Sequence, residues 1–519
     1  MTVENIATII NYIETKYEVD KWEIDGIKIW PFIRMQNYSL LSYQVLNASP
    51  IKTRSLAYAK KVLKSKFQRK IAEQLDSKMN VQFSKAEVVL FSNGVSFSKI
   101  GSKYYDRFCD PIYDYYKMKG IKTIRLELNH KFFTPKYSPS KFIQPEIDNI
   151  IIRSLISNNI YSRKCKNEQW NDYELFQTDT FVKKHLANVP EKNDVRAKIN
   201  KIKNLRNYFI PILKRINPKL AFIVNYYNDT GMAILLACKS LNITTVDIQH
   251  GVQGDLHLAY GNWTKVPING FSSLPDYFWV WSQLEKNAID KWNMAQQNHN
   301  PIIGGNLFSD VCKRNQNSFI IKYEEQFLSM KKVFKNPSIL VSLSPNNNFI
   351  NSLHQIIRNT KHKYNWFIRL HPTIQNNSEI FKKHLKKNGI DLSIILDCSN
   401  FPLYSVLKNI DLHITAQSSV VIEAAEFGVK SIIISTYGQS LFKEYLHNGS
   451  AVFCEDLLQL QKMIDVQIKE NKLEVNPNNT NIFDYFDPYL GDKFNLHVIG
   501  QDQTRFKKNI QLLSTTSNF

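Results

Sequence analysis

Two successive series of short apolar runs rich in β-branched residues, most followed by an amphipathic segment, constrain this chain more than any other feature. A strand buried on both faces reads as an unbroken apolar run, and its alternation with helices demands a parallel sheet covered on both sides. The first series begins with EVVLFSNG (87–94) and IKTIRLEL (121–128). It continues with LAFIVNYY (220–227), helix GMAILLACKSLN, TTVDIQHG (244–251) and DYFWVWS (276–282). The second begins after Asn300 with SILVSLSP and NWFIRLHP, then LSIILDCS, DLHITAQ, SIIIS and AVFCEDL. Helical segments separate most of these runs, SEIFKKHLKKNG and SSVVIEAAEFG among them. The segment YYDRFCDPIYDYYKMKG is expected to be a helix broken at Pro111 and closed by Gly120, and 170–216 to be mostly helical with a break near Pro190.

The expected fold class is therefore α/β, with two Rossmann-like doubly wound domains facing a cleft. Residues 1–80 are expected to form a helical N-terminal extension, 81–300 and 301–475 the two domains, and 476–519 a tail packing back across them. A chain of 519 residues exceeds what one core normally supports, which agrees with more than one domain. No apolar run reaches the ~18–20 residues needed to span a bilayer, and the acidic, amphipathic start does not read as a signal peptide. Six cysteines lie far apart, without CxxC or CxxH spacing, which disfavours zinc and a disulfide scaffold and suits a reducing cytoplasm.

The net charge of +21 favours an anionic partner. Part of it is concentrated in IKTRSLAYAKKVLKSKFQRK (Ile51–Lys70), which holds eight Lys or Arg and no acid. Leu56, Ala59, Leu63 and Phe67 recur at helical spacing there, so the segment reads as an amphipathic helix with one cationic face. Such a helix is either a solvated helix on the domain surface or an anchor on an anionic membrane. No nucleic-acid module accompanies it, so no nucleic-acid partner is expected.

Doubly wound sheets bind ligands outside the carboxyl ends of their strands. No GxGxxG and no GxxxxGK[ST] occupies such a junction, which disfavours dinucleotide and P-loop sites. Arg369 and His371 share one face at the end of a strand, followed by Pro372, and suit an anionic ligand or a loop cap. At the next informative junction Ser418 and Ser419 open a helix, where free N–H groups attract anions, with Glu423 one turn further on. In the first series TTVDIQHG ends in Gln249, His250 and Gly251, and His250 is a candidate general base. Asp229 and Asp255 are the nearby carboxylates that could orient or replace it. Ser92, Asn93 and Gly94 close an earlier strand and are expected to line the same cleft.

At these residues the chain resembles a bacterial surface-polysaccharide glycosyltransferase of the GT-B architecture. The pairing of RLHP (Arg369–Pro372) with SSVVIEA (Ser418–Ala424) is similar to the His-Pro and Ser-Ser motifs of sialyl- and Kdo-type transferases. In those families the motifs contact the phosphate and ribose of a CMP-sugar. IQHG (Ile248–Gly251) resembles the His-Gly motif of teichoic-acid glycerophosphotransferases, in which the matching histidine is assigned as the catalytic base. That motif normally carries Trp before His-Gly, and here Gln249 stands in its place. The sialyl- and Kdo-type families carry an acidic catalytic residue in the first domain, for which Asp229 is the positional match. WEIDGIKIWP near the N terminus is similar to segments of capsule and lipopolysaccharide cluster proteins.

The resemblance implies a metal-independent, cofactor-free transferase moving a sugar from a nucleotide-sugar, CMP-linked by preference. The acceptor would be a lipid-linked or oligosaccharide glycan of capsule or lipopolysaccharide at the inner face of the cytoplasmic membrane. The alternatives are phosphoalditol transfer from a CDP-linked donor, a sugar-nucleotide epimerase or hydrolase, and a basic protein that binds polyanionic glycan or nucleic acid.

Overall fold

The computed structural model describes residues 3–45, 82–94, 97–100, 102–128, 135–160, 167–186, 188–293, 298–313, 318–331, 336–343, 350–371 and 395–470, with isolated residues at 67, 383, 385–386 and 486. The chain forms two compact units that divide between Leu307 and Phe308.

The first unit opens with helices α1 (Val3–Lys16) and α2 (Trp30–Val45), joined by an antiparallel hairpin of Glu23–Ile24 and Ile27–Lys28. Strand β1 (Val88–Ser92), helix α3 (Cys109–Met118), and strands β2 (Thr123–Glu127) and β3 (Lys141–Phe142) follow. Then come helix α4 (Lys192–Ile216), strand β4 (Leu220–Val224), helix α5 (Asp229–Lys239), and strands β5 (Thr244–Ile248), β6 (Tyr277–Val280) and β7 (Asn300–Ile303). The strands form one parallel sheet in the order β7-β6-β5-β4-β1-β2-β3.

Every residue of β1 and β4 is buried, as expected of strands covered on both faces. Helix α4 presents Val195, Ile199, Ile202, Leu205, Phe209, Leu213 and Ile216 at helical spacing to that core and ends at Asn217 in the left-handed region. The N-terminal helices belong to the same core: Ile10, Trp22 and Trp30 are buried in one cluster with Val89, Ile124 and Ile223. Phe486 packs on this unit too, its ring stacked on Trp279 and edge-on to Phe222. The rest of the expected tail lies outside the described residues, as does Ile51–Lys70 apart from an exposed, helical Phe67.

One element differs from its sequence reading. Phe97–Ile100 and Lys103–Asp106 pair as an antiparallel hairpin, so the helix starts only at Cys109. Pro111 does not break it, because in the first turn its missing N–H would have had no intrahelical partner.

In the second unit the parallel strands are β8 (Ser338–Ser342), β9 (Asn365–Arg369), β10 (Ile395–Asp397) and β11 (Leu412–Thr415). Helix α6 (Val420–Glu426), strand β12 (Ser431–Ile433), helix α7 (Thr436–Leu441) and strand β13 (Ala451–Phe453) complete the alternation. The sheet order is β10-β9-β8-β11-β12-β13. In each unit the chain builds outward on one side of its first strand and then crosses to the other side. Both are doubly wound α/β sheets, with switch points beside β1 and β4 in one and β8 and β11 in the other. The helix expected from SEIFKKHLKKNG lies almost wholly outside the described residues.

His413 sits buried in the middle of the second sheet, with Nε2 2.6 Å from Ser342 Oγ and Nδ1 2.8 Å from Ser431 Oγ. Burial pushes its pKa down to about 3, so a neutral imidazole bridges three strands there. No helix among the described residues is long and apolar enough to cross a membrane.

Candidate functional site

In the first unit the carboxyl ends of β4 and β5 bring Tyr227 and His250 together. Gln249 is fully buried and forms the frame of this turn. Its Nε2 donates to Gly251 O at 3.0 Å, its Oε1 accepts from Trp281 N–H at 2.7 Å, and its backbone N–H donates to Trp279 O at 2.9 Å. His250, the next residue, is only partly buried. Its Nδ1 lies 3.3 Å from Ile248 O. A carbonyl can only accept, so Nδ1 carries the proton and Nε2 the lone pair. Nε2 accepts from the Tyr227 hydroxyl at 3.2 Å, and the two rings lie nearly parallel, 5.9 Å apart. Phe108 stands edge-on at 6.5 Å. Burial pushes the His250 pKa down to about 4, so the imidazole is neutral and able to accept a proton at pH 7.

Asp229 opens helix α5, but its carboxylate is ion-paired with Lys201 at 2.5 Å and Lys198 at 3.4 Å, both on α4. Desolvation opposes ionisation there, and the two lysines outweigh it and hold the carboxyl well below the usual range. A carboxylate held in that way is a poor base, and its recorded partners are on α4, not at His250. Asp255 pairs with Lys291, and its carbonyl accepts from Asn262 Nδ2 at 2.6 Å.

Ser92 is turned inward. Its hydroxyl donates to Asp106, which opens a buried charged cluster. Asp106 Oδ1 accepts from the N–H groups of Phe108 and Cys109 at 3.1 Å each, which fixes the start of α3. Asp110 accepts from Arg125 and Ser138, and Arg125 Nη2 lies 3.3 Å from Glu127. Lys136 Nζ is 3.4 Å from the same Glu127 oxygen. Burial pushes Asp110 up to about 7 against the pull of Arg125. Asn93 and Gly94 continue the turn, with Gly94 at φ +77°.

Three groups here were not among the sequence candidates. Asp247 is buried on β5, accepts from Tyr226 N–H at 3.0 Å and Tyr260 Oη–H at 2.9 Å, and is pushed by burial up to about 8. His257, on the loop after β5, packs against Tyr227. Arg34 of α2 is fully buried. Its Nε donates to Glu14 at 2.7 Å and its Nη2 to Gly261 O at 3.1 Å and Asn262 O at 2.8 Å, while its guanidinium lies 3.9 Å over the Trp263 ring. A charge inside an apolar strand was the available signal for Asp247. The other two depend on contacts between residues far apart in sequence.

In the second unit Arg369 turns back into its own sheet edge. Nη1 donates to Phe401 O at 2.7 Å and Cys398 O at 3.3 Å, so the guanidinium shapes the loop after β10. His371 is partly buried, and burial lowers its pKa. Pro372 lies outside the described residues. At the switch point Thr415 Oγ1 donates to Ser342 O at 2.9 Å and accepts from Ser418 N–H at 3.1 Å. Ser418 Oγ accepts from Val420 N–H at 3.4 Å, while Ser419, at the N-cap position itself, makes no side-chain cap. Glu423 is buried on α6.

This loop is braced from α7. Ser435 Oγ donates to Ala416 O at 2.6 Å, and a Cβ at Gly438 would come within 2.0 Å of the same carbonyl. Gly438→Ala should therefore displace the 416–419 turn and destabilise the fold by about 1–3 kcal/mol, the usual cost of overpacking. Urea unfolding measures this, and an unchanged midpoint would show that the close approach has slack.

No family model matches the chain. Over 128 residues it is 32% identical to the teichoic acid glycerol-phosphate primase of Bacillus subtilis (strain 168), a match covering 23% of this chain and 31% of that protein. The match thus spans less than a third of that curated relative's length. Among solved structures, a UDP-GlcNAc 2-epimerase of Methanocaldococcus jannaschii aligns with a TM-score of 0.45 at 14% identity, over 77% of this chain and 99% of that one. The wall teichoic acid polymerase TagF aligns with a TM-score of 0.38 at 12% identity, over 94% and 98%. Likenesses at this level say nothing of activity.

Proposed function

We propose that this protein is a transferase that moves a sugar from a nucleotide-activated donor to a hydroxyl of a growing surface glycan, with His250 as the base. One observation carries the reading: a neutral imidazole, with its lone pair on Nε2, at the carboxyl edge of a doubly wound sheet, one strand from its switch point. The acceptor O–H gives its proton to Nε2. Its oxygen forms the new bond to the anomeric carbon, and the nucleotide leaves with the electron pair of the bond that breaks.

The second unit would hold the nucleotide donor at its own switch point, through His371, Pro372, Ser418, Ser419 and Glu423. Arg369 would act there by shaping the neighbouring loop. Asp229 and Gln249 support the first site from outside it. The reaction needs no metal and no cofactor, so turnover should survive EDTA.

The match to the glycerol-phosphate primase favours a second reading, transfer of a phosphoalditol group from a CDP-linked donor. The same base would serve, and the bond broken would be a phosphoanhydride, with CMP leaving. A radiolabelled panel of CMP-, UDP- and GDP-sugars and CDP-glycerol separates the two. Turnover of one sugar nucleotide supports the first, turnover of CDP-glycerol alone selects the second, and turnover of none overturns both.

The cationic stretch Ile51–Lys70 would hold the enzyme at the acidic inner face of the cytoplasmic membrane, where lipid-linked capsule or lipopolysaccharide acceptors reside. Each lysine near such a surface contributes about 1 kcal/mol. Changing Lys60, Lys61, Lys64 and Lys66 to Gln should thus weaken binding to phosphatidylglycerol vesicles on the order of 10³-fold. Unchanged co-flotation would remove the membrane from the proposal.

A further inference from the structure

We propose that His257 is a second substrate-binding imidazole, whose Nε2–H holds one oxygen of a polyhydroxyl acceptor while another hydroxyl of that acceptor gives its proton to His250. The inference rests on the reading of His250 as the base.

The loop that carries His257 is built to hold it still. Gly261 comes so close to the start of the loop that a Cβ there would lie 2.6 Å from Asp255 Cα. Trp292 Nε1 donates to Tyr260 O at 2.6 Å, Trp263 Nε1 to Ala259 O at 3.4 Å, and the Tyr226 hydroxyl to the same carbonyl. Arg34 takes the carbonyls of Gly261 and Asn262. Within this frame the His257 ring packs against Tyr38 at 5.3 Å, Tyr227 at 5.1 Å and Tyr260 at 5.0 Å.

The two imidazoles are held in opposite tautomers. Ala259 N–H donates to His257 Nδ1 at 3.4 Å, so the proton of a neutral His257 is on Nε2. Among the described residues nothing accepts from that Nε2–H. In His250 the carbonyl of Ile248 draws the proton to Nδ1 and leaves the lone pair on Nε2. Both rings lean on Tyr227, one nearly parallel and one edge-on, which puts one neutral donor and one neutral acceptor around a single phenol.

Both imidazoles stay neutral at pH 7. Burial pushes His257 down to about 3, with the nearby His250 and Arg34 adding to it, and pushes His250 down to about 4.

This chemistry selects its ligand class. Phosphate and carboxylate are best held by charged donors, which neither imidazole is. A donor N–H and an acceptor nitrogen suit two hydroxyls of one sugar or short polyol, and the faces of Tyr38, Tyr227 and Phe108 suit its carbon skeleton. The Tyr227 hydroxyl marks where the reacting hydroxyl goes, since it already donates to His250 Nε2. The acceptor replaces that hydrogen bond with one of the same kind.

His257→Phe keeps the ring packing and removes the N–H, while His257→Gln keeps a neutral N–H donor. With full-length protein, the Phe variant should raise the acceptor KM about tenfold and leave the donor KM and the melting temperature near wild type. The Gln variant should recover most of that loss. Equal kinetics in both variants would overturn the proposal, because packing alone would then explain the residue. Long-range 15N–1H NMR of the histidines gives an answer that does not depend on turnover: His257 should be the Nε2–H tautomer, and its Nε2 signal should move on titration with a methyl glycoside or glycerol. An Nδ1–H tautomer, or a signal unmoved by either, sinks the proposal even if His250 proves to be the base. If the donor panel gives no turnover but the tautomer and the titration behave as stated, the reading of the reaction has failed and the polyol site stands.

Discussion

His250→Ala should lower turnover by about 10²–10⁴-fold, the range that a positioned general base supplies. The substitution removes the neutral Nε2 that accepts from the Tyr227 hydroxyl. The fold should survive it, because the turn itself is held by Gln249 through Gly251, Trp279 and Trp281. A pH profile separates this from a structural effect. A base works only when deprotonated, and burial lowers the His250 pKa from its ordinary value to about 4. The wild-type rate should therefore stay flat from neutral pH down to about pH 5 and fall as pH drops through 4. A limb near 6.5 would indicate a solvated imidazole and a different site. Asp229→Asn is the companion variant. It should cost stability through its two lysines but leave the chemical step near wild type, and if it alone abolished transfer the base would be Asp229.

Arg125→Met should destabilise the first unit by about 3–5 kcal/mol, because it strips a buried cluster of a cation and leaves Asp110 and Glu127 without it. The loss should depend on pH. Burial already pushes the Asp110 pKa up to about 7, and Arg125 is the charge that pulls it down. Without the arginine the carboxyl takes up a proton more readily, so acid relieves the defect. Urea unfolding at pH 8 and pH 5.5 should show the larger deficit at pH 8. A deficit under 1 kcal/mol at both would mean that water reaches the cluster. The consequence would extend to the site, since Asp106 in this cluster fixes the start of α3 and Phe108, which packs on His250.

The architecture was legible in the sequence because strands buried on both faces leave unbroken runs such as VVLFS, LAFIV and SILVS, and all three are fully buried strands. The hairpin of 97–106 was not, since SFSKIGSKYYD is too polar to stand out as a pair of strands. The strand-end rule led to Gln249 and His250, yet it could not say which way a side chain turns. Arg369 illustrates this: strand periodicity placed it at the sheet edge, and the carbonyls of Phe401 and Cys398 drew its guanidinium inward. The charges in IRLE, at Arg125 and Glu127, occupy alternate positions of one strand and so share a face, which was readable. Their partners Asp110 and Lys136 come from a helix and a later loop, and only tertiary packing brings them together.

The Glu14–Arg34 pair and the loop it holds are separated in time as well as in sequence. Arg34 and the Gly261 carbonyl that it holds lie 227 residues apart. At about 5–20 residues per second, the N-terminal helices leave the ribosome on the order of ten to fifty seconds before that loop has been made. Throughout that interval Arg34 has Glu14 beside it but not the carbonyls of Gly261 and Asn262 that complete its set of acceptors. The clamp on the loop is therefore among the last contacts of this unit to close, and a truncation that removes the first 45 residues would leave the loop without it.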